Sequence, residues 1–254
     1  MLLHPTMDKL MALKLTGMAQ GFRDQLSLPE MERLSFEERL SLLVDLETTA
    51  RENRKMSTLL RAARLGQQAA LEDLELKGGR NLSVQLVSQL QSCHWIKAGL
   101  NVLITGPTGV GKSFLACALV HKACREGYSA LYLRAPRLFR DLHQAHLDGS
   151  YGRVFQKLSK ARLIVLDDFG LAPLEDEQRR DLLELLEERQ SRRSMVVTSQ
   201  LPVGSWHEAI GSPTMADAIL DRLIHNAYRV DLKGESMRRT KGQAALEKAE
   251  GREA

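Results

Sequence analysis

Residues 106–113 read Gly-Pro-Thr-Gly-Val-Gly-Lys-Ser, a complete G-x-x-x-x-G-K-S phosphate-binding loop. The run before it, Asn101–Thr105, is apolar and β-branched, and predicts a buried strand. The run after it, Phe114 to Arg125, is apolar at helical spacing and stops at Gly127. Strand, loop and helix in that order constrain the chain to an α/β fold with a parallel sheet. A chance glycine-rich turn would lack both flanks. The glycines let backbone N–H groups converge on one phosphate, assisted by the positive end of the following helix. Gly106, Pro107, Thr108, Gly109, Val110, Gly111, Lys112, Ser113 and Phe114 are therefore the expected nucleotide-binding residues. Lys112 can reach the terminal phosphates, and the Ser113 hydroxyl can ligate Mg2+. The expected ligand is a nucleoside triphosphate.

A second signal lies at residues 163–168, Leu-Ile-Val-Leu-Asp-Asp, an apolar strand ending in two carboxylates. A parallel strand delivers its last residues to the carboxyl edge of the sheet, where ligands bind. Asp167 is then expected to hold the metal with Ser113, and Asp168 to face the attacking water. The competing reading makes the pair a cap for the helix that follows. Further strands are expected at Tyr128–Leu133, Met195–Ser199 and Tyr228–Leu232, alternating with helices. The reading is thus a parallel sheet flanked by helices and preceded by a small helical domain.

Residues 1–75 read as helical. One loosely amphipathic helix is expected over Thr6–Leu26, with a break at Leu28-Pro29-Glu30. Ser35-Phe36-Glu37-Glu38 forms a capping box opening a helix from Phe36 to about Leu65, with Leu40, Leu43, Val44 and Ala50 expected inside. The paired glycines of Lys77-Gly78-Gly79-Arg80 mark the expected boundary between a helical domain, 1–76, and an ATPase domain, 77–242. A frayed tail is expected over 243–254.

With 254 residues and 43% hydrophobic content, the chain can bury a sizeable core. No apolar run approaches the ~20 residues that span a bilayer, and there is no signal-peptide pattern. The three cysteines, Cys93, Cys117 and Cys124, lack metal-ligand spacing and read as small core residues, which suits a reducing cytoplasm. The net charge of +4 is weak evidence for nucleic acid, but its distribution is uneven. Arg51, Arg54, Lys55, Arg61 and Arg64 stand against the single acid Glu52. Arg137, Arg140, Arg153 and Lys157 belong to a second basic stretch, residues 134–162. Such local excesses suit phosphate-backbone contact, although single arginines commonly do no more than solvate helix faces.

Three further features bear on the class of nucleotide machine. Gln200 follows the Thr198-Ser199 strand end and could orient a water. Arg222 lies in Ile219-Leu-Asp-Arg-Leu223, and Arg238 follows the last strand. In assembled ATPases an arginine reaches a neighbouring subunit's γ-phosphate; by spacing alone, Arg222 could equally pair with a nearby aspartate. A small-molecule kinase would need an acceptor site, and no acceptor motif is found.

The order of these motifs resembles the AAA+ ATPases, within them the DnaA/DnaC branch, and most closely the IstB-like transposition helpers encoded beside insertion-sequence transposases. The resemblance covers nearly the whole chain. It rests on Leu15-Thr-Gly-Met-Ala19, Leu34–Leu40, Arg51-Glu-Asn-Arg54, Gly106–Ser113, Leu166-Asp-Asp-Phe-Gly-Leu171, Thr198-Ser-Gln-Leu-Pro202, Trp206, Ala218–Leu223 and Gly234–Arg238. It implies Walker A roles for Lys112 and Ser113 and Walker B roles for Asp167 and Asp168. It also implies sensor I for Gln200, the arginine finger for Arg222 and sensor II for Arg238. The chain departs from the family pattern at Gln200 (often asparagine), Met237 (tyrosine) and Asp168 (commonly glutamate), the last implying slow turnover. The resemblance further implies a homo-oligomer built on duplex DNA with ATP, which deforms the DNA and delivers it to a partner transposase. The stretch Pro136–Lys160 falls where this branch carries a helical insert facing the DNA channel. A DnaC-like helicase loader and an ATP-switched clamp with negligible hydrolysis are the alternatives.

Overall fold

The computed structural model describes residues 5–74, 81–237 and 239. The chain divides into two compact units, Met1–Thr58 and Leu59–Ala254. The division falls inside a helix because Leu59, Leu60 and Ala63 pack into the core of the second unit. The expected boundary at residues 76–77 and the tail 243–254 lie outside the described residues.

The first unit is helical: α1 (Pro5–Ala12), α2 (Thr16–Ser27), a 3-10 turn at Pro29–Arg33, and α3 (Phe36–Ala63), whose residues through Thr58 belong to this unit. The single helix expected over Thr6–Leu26 is two helices, because Lys14 adopts a left-handed φ of 60° and breaks it. The capping box is present: Ser35 N–H donates to Glu38 Oε2 at 2.8 Å, and Glu38 N–H to Ser35 Oγ at 3.2 Å. Of the expected inward residues of α3, Leu43 is buried, whereas Leu40 and Val44 are exposed. The reason is the partner: α2 meets α3 through Gly17 and Gly21, which share one face. A Cβ on Gly17 would lie 2.5 Å from the Leu46 carbonyl oxygen, so the two backbones touch and only a narrow stripe of α3 is covered. Glu47 closes this seam, its carboxylate accepting from Gly17 N–H at 2.7 Å and Met18 N–H at 3.3 Å at the start of α2.

The second unit contains α4 (Val84–Gln91), α5 (His94–Lys97), β1 (Asn101–Thr105), α6 (Lys112–Arg125), β2 (Ala130–Arg134), α7 (Ala135–Leu147), α8 (Tyr151–Lys160), β3 (Leu163–Phe169), α9 (Asp176–Arg189), β4 (Ser194–Ser199), α10 (Trp206–Ile210), α11 (Pro213–Ile224) and β5 (Ala227–Asp231). The five strands form one parallel sheet in the order β2-β3-β4-β1-β5. The central strands β1 and β4 are buried at every position, as a sheet covered on both faces requires. Alternate residues enter opposite cores. Val102 and Ile104 join the cluster built on α6, while Leu103 joins the one built on α7, α9 and α11. Cys93, Cys117 and Cys124 are buried free thiols.

Candidate functional site

The phosphate loop links β1 to α6 at the carboxyl edge of the sheet. Gly106, Gly109 and Gly111 take φ values of 143°, 84° and 107°, which side chains strongly disfavour. No side chain caps the start of α6, so its first N–H groups face the loop's concavity. Lys112 is 7% exposed; its Nζ donates to the Gly106 carbonyl at 2.7 Å and the Pro107 carbonyl at 2.9 Å. The ammonium is thereby held over the loop by carbonyls that a phosphate oxygen could replace. The segment after β5 returns to cover the loop: Leu232 N–H donates to Thr105 O at 2.8 Å, and Met237 N–H to Gly109 O at 3.0 Å. The contact is so close that a Cβ on Gly109 would lie 2.1 Å from Ser236 Oγ. Arg238, next in the chain, lies outside the described residues.

The two carboxylates of β3 reach the loop through a bulge. In a regular strand, neighbours point to opposite faces. Here the β3–β4 register runs from Leu166↔Val197 to Phe169↔Ser199, three steps on β3 against two on β4. The extra residue is accommodated by Asp168 at φ 62°, and its N–H leaves the ladder to donate to Thr198 Oγ1 at 3.1 Å. Asp167 and Asp168 consequently line the same cleft as Lys112 and Ser113.

Asp167 is 2% exposed and accepts from three hydroxyls. Ser113 Oγ donates to its Oδ1 at 3.0 Å, Thr198 Oγ1 donates to the same oxygen, and Tyr132 Oη donates to Oδ2. Burial, then the Asp167 bond and charge, push the Tyr132 phenol far above its ordinary range, so it stays a donor at any working pH. A hydroxyl beside a buried carboxylate is a hard-oxygen donor set, which fits Mg2+. Asp168 instead faces Arg134, whose Nη2 and Nε stand 2.8 and 3.2 Å from Oδ2. That hydrogen bond and charge raise the Arg134 pKa further, so the guanidinium remains a cation over Asp168.

The cleft encloses about 600 Å3, ample for a nucleotide, and is completed by Gln200 and by Gly66 and Gln67 from the segment after α3. Gln200 Oε1 accepts from Thr108 Oγ1 of the phosphate loop at 2.8 Å. Arg222 is not brought here. It sits by the opposite end of β1, where Asn101 Nδ2 donates to its carbonyl at 3.1 Å, and its guanidinium pairs with Glu187 at 2.9 Å. Arg51 and Arg54 are exposed yet both paired with Glu47, while Lys55 is exposed in the same unit. In the second unit, Arg61, Arg64, Arg137, Arg140, Arg153 and Lys157 are all exposed, the last four on α7 and α8. Among the described residues, no helix is long and apolar enough to cross a membrane.

Tyr132, Arg134, Gly66 and Gln67 were not among the expected site residues. Nothing local marks them: β2 becomes adjacent to β3 only through the sheet order, and Gly66 meets the Tyr132 ring only in three dimensions. Thr198 stood within the Thr-Ser-Gln run, but its two hydrogen bonds, one accepted from the Asp168 N–H and one donated to Asp167, depend on the bulge.

Comparison with known proteins agrees with this geometry. The chain is 53% identical to the insertion sequence ATP-binding protein y4pL of Sinorhizobium fredii, over 94% of this chain and 98% of that one. It is 49% identical to the ATP-binding protein of insertion sequence IS1162 from Pseudomonas fluorescens, over 80% and 88% of the two chains. In fold it is similar to the crystal structure of DnaI, with a TM-score of 0.58 at 20% identity over 70% of this chain and 94% of that one. Residues 8–245 match the model of the IstB-like ATP-binding proteins. With its phosphate loop, paired carboxylates and parallel sheet in the arrangement described, the chain belongs to the IstB-like ATP-binding protein family, on an AAA+ fold.

Proposed function

We propose that this protein is a DNA-dependent ATPase that assembles on duplex DNA, deforms it and presents it as a target to a partner transposase. The observation that carries the ATPase part is the bulge that sets Asp167 and Asp168 beside Lys112 and Ser113. In this reading the phosphate-loop amides and Lys112 bind the terminal phosphates, and Ser113 and Asp167 hold Mg2+. The bound metal supplies positive charge against the charge that develops on phosphoryl transfer. Asp168 takes the proton of the attacking water once Arg134 releases it, and Gln200 orients that water. An aspartate reaches less far than a glutamate, which favours slow turnover.

Arg222, remote from its own cleft, is assigned to a neighbouring subunit's γ-phosphate, and Arg238 to the phosphates of its own. Assembly into a homo-oligomer follows from that assignment. The exposed basic residues Arg51, Arg54, Lys55, Arg61, Arg64, Arg137, Arg140, Arg153 and Lys157 are assigned to backbone contacts with DNA. No base-reading arrangement is evident in these clusters, so binding should be largely independent of sequence and sensitive to salt. The insertion-sequence names of the relatives favour transposition over helicase loading.

The test is ATP hydrolysis and particle size by light scattering, with and without random-sequence duplex at two salt concentrations. Large, salt-sensitive particles requiring both ATP and duplex, and lost in Lys112→Ala, are expected. A monomer indifferent to duplex overturns the proposal and puts the helicase loader first.

A further inference from the structure

On the flank of the second unit, the start and end of two sequence-distant helices bring histidine and carboxylate together. Helix α7 presents His143 and His146, three residues apart on one face, and α9 presents Glu177 and Asp181, four apart. His146 Nε2 lies 3.0 Å from Asp181 Oδ1, and His143 Nδ1 lies 2.9 Å from Glu177 Oε1. One ligand atom from each of His146, Glu177 and Asp181 falls within a 4.8 Å group. Four ligands placed tetrahedrally about 2.0–2.1 Å from a zinc ion stand roughly 3.3 Å apart. The two histidine–carboxylate pairs, at 3.0 and 2.9 Å, lie slightly inside that edge length, and His143, outside the 4.8 Å group and exposed, must swing inward to complete the four.

The surroundings favour ligation over a plain surface ion pair. Asp181 is 5% exposed, a carboxylate carried into the body of the helix layer. The Tyr151 ring stacks on the His146 imidazole at 4.0 Å between centroids and 17° between planes, and its hydroxyl is tied to Glu184 Oε2 at 2.8 Å. The imidazole plane is therefore set from α8 with Nε2 directed at Asp181. Two imidazoles with two carboxylates suit zinc among the divalent ions, since magnesium and calcium prefer oxygen throughout.

We infer that His143, His146, Glu177 and Asp181 form a zinc site, separate from the nucleotide cleft, that clamps α7 to α9. Helix α7 begins directly after Arg134, the residue over Asp168, so the clamp fixes the outer end of the element that leaves the cleft.

The experiment is titration of the metal-stripped, nucleotide-free full chain with Zn2+ by calorimetry, and with Co2+ by visible absorption. One zinc per chain is expected, with a four-coordinate cobalt spectrum and a rise in melting temperature of roughly 5 °C or more at saturation. His143→Gln, an exposed position that leaves the fold intact, should weaken zinc binding at least ~10-fold. His146→Gln should abolish it while melting normally in chelator. Asp167→Asn, in the nucleotide cleft, should bind zinc as the unaltered chain does. Zinc binding that survives in the His143→Gln/His146→Gln chain, a six-coordinate cobalt spectrum, or no binding at all would each overturn the assignment.

Discussion

Thr198→Val tests whether the hydroxyl between the two aspartates holds the carboxylate bulge. Thr198 is fully buried; its Oγ1 accepts from the Asp168 N–H and donates to Asp167. Valine matches it in shape but removes both bonds and leaves a buried N–H and a buried carboxylate each short of a partner. A hydrogen bond to a neutral group contributes about 1 kcal/mol and one to a charged group about 1.5–3, so the expected loss is roughly 2–4 kcal/mol. At about 2–4 °C per kcal/mol for a chain of this size, the melting temperature should fall by roughly 5–15 °C. Thr198→Ser keeps the hydroxyl and loses one methyl, about 1 kcal/mol. Urea unfolding without nucleotide should therefore rank the chains wild type, serine, valine. Hydrophobic burial alone ranks valine at or above wild type and serine last. That second order, or a valine variant within about 0.5 kcal/mol of wild type, would refute the reasoning.

Gly109→Ala places a Cβ against Ser236 at a φ of 84°, so ATP affinity measured by calorimetry should fall at least ~10-fold. Gly149→Ala, with a similar φ of 73° and open space around it, should leave affinity unchanged. Arg134→Ala frees Asp168 and should raise DNA-independent ATP turnover several-fold; a fall would instead make Arg134 part of the reacting site. Arg222→Ala should bind ATP normally yet lose hydrolysis, and mixing it with Lys112→Ala should restore some; no recovery would argue against action between subunits. The Arg51 hydrogen bond, chiefly, holds the Glu47 carboxyl below its ordinary range. A lowered folded-state pKa adds stability above the unfolded value, about 4.3, that is lost as pH falls through the folded one. Hydrogen-exchange protection factors in residues 16–58, corrected for the intrinsic rate at each pH, should thus fall at acid pH, and Glu47→Gln should flatten that dependence.

Much of the fold was legible because its signals are local. The strand before Gly106, the loop glycines and the apolar helix after them can each be read within twenty residues, and β1 and β4 were expected close to where they lie. The capping box at Ser35 was legible for the same reason: both of its bonds span three residues. The N-terminal helices are less legible. Hydrophobic spacing put Leu40 and Val44 inside, but what covers α3 is decided by the glycines of α2, which admit backbone contact and leave those side chains out.

The candidate site divides along the same line. Lys112, Ser113, Asp167 and Asp168 announce themselves by residue type and spacing. Which way two adjacent aspartates point cannot be read from spacing, because a strand sends neighbours to opposite faces. The bulge against β4 turns them together. Tyr132 and Arg134 enter only because the sheet order sets β2 beside β3, and Arg222 is kept from its own cleft because α11 leads into β5 at the far end of β1. The sequence by itself determined the chemistry that each segment can offer. The tertiary structure decided which of those groups meet, because side-chain direction and strand order are set by packing over long separations and not by neighbours in the chain.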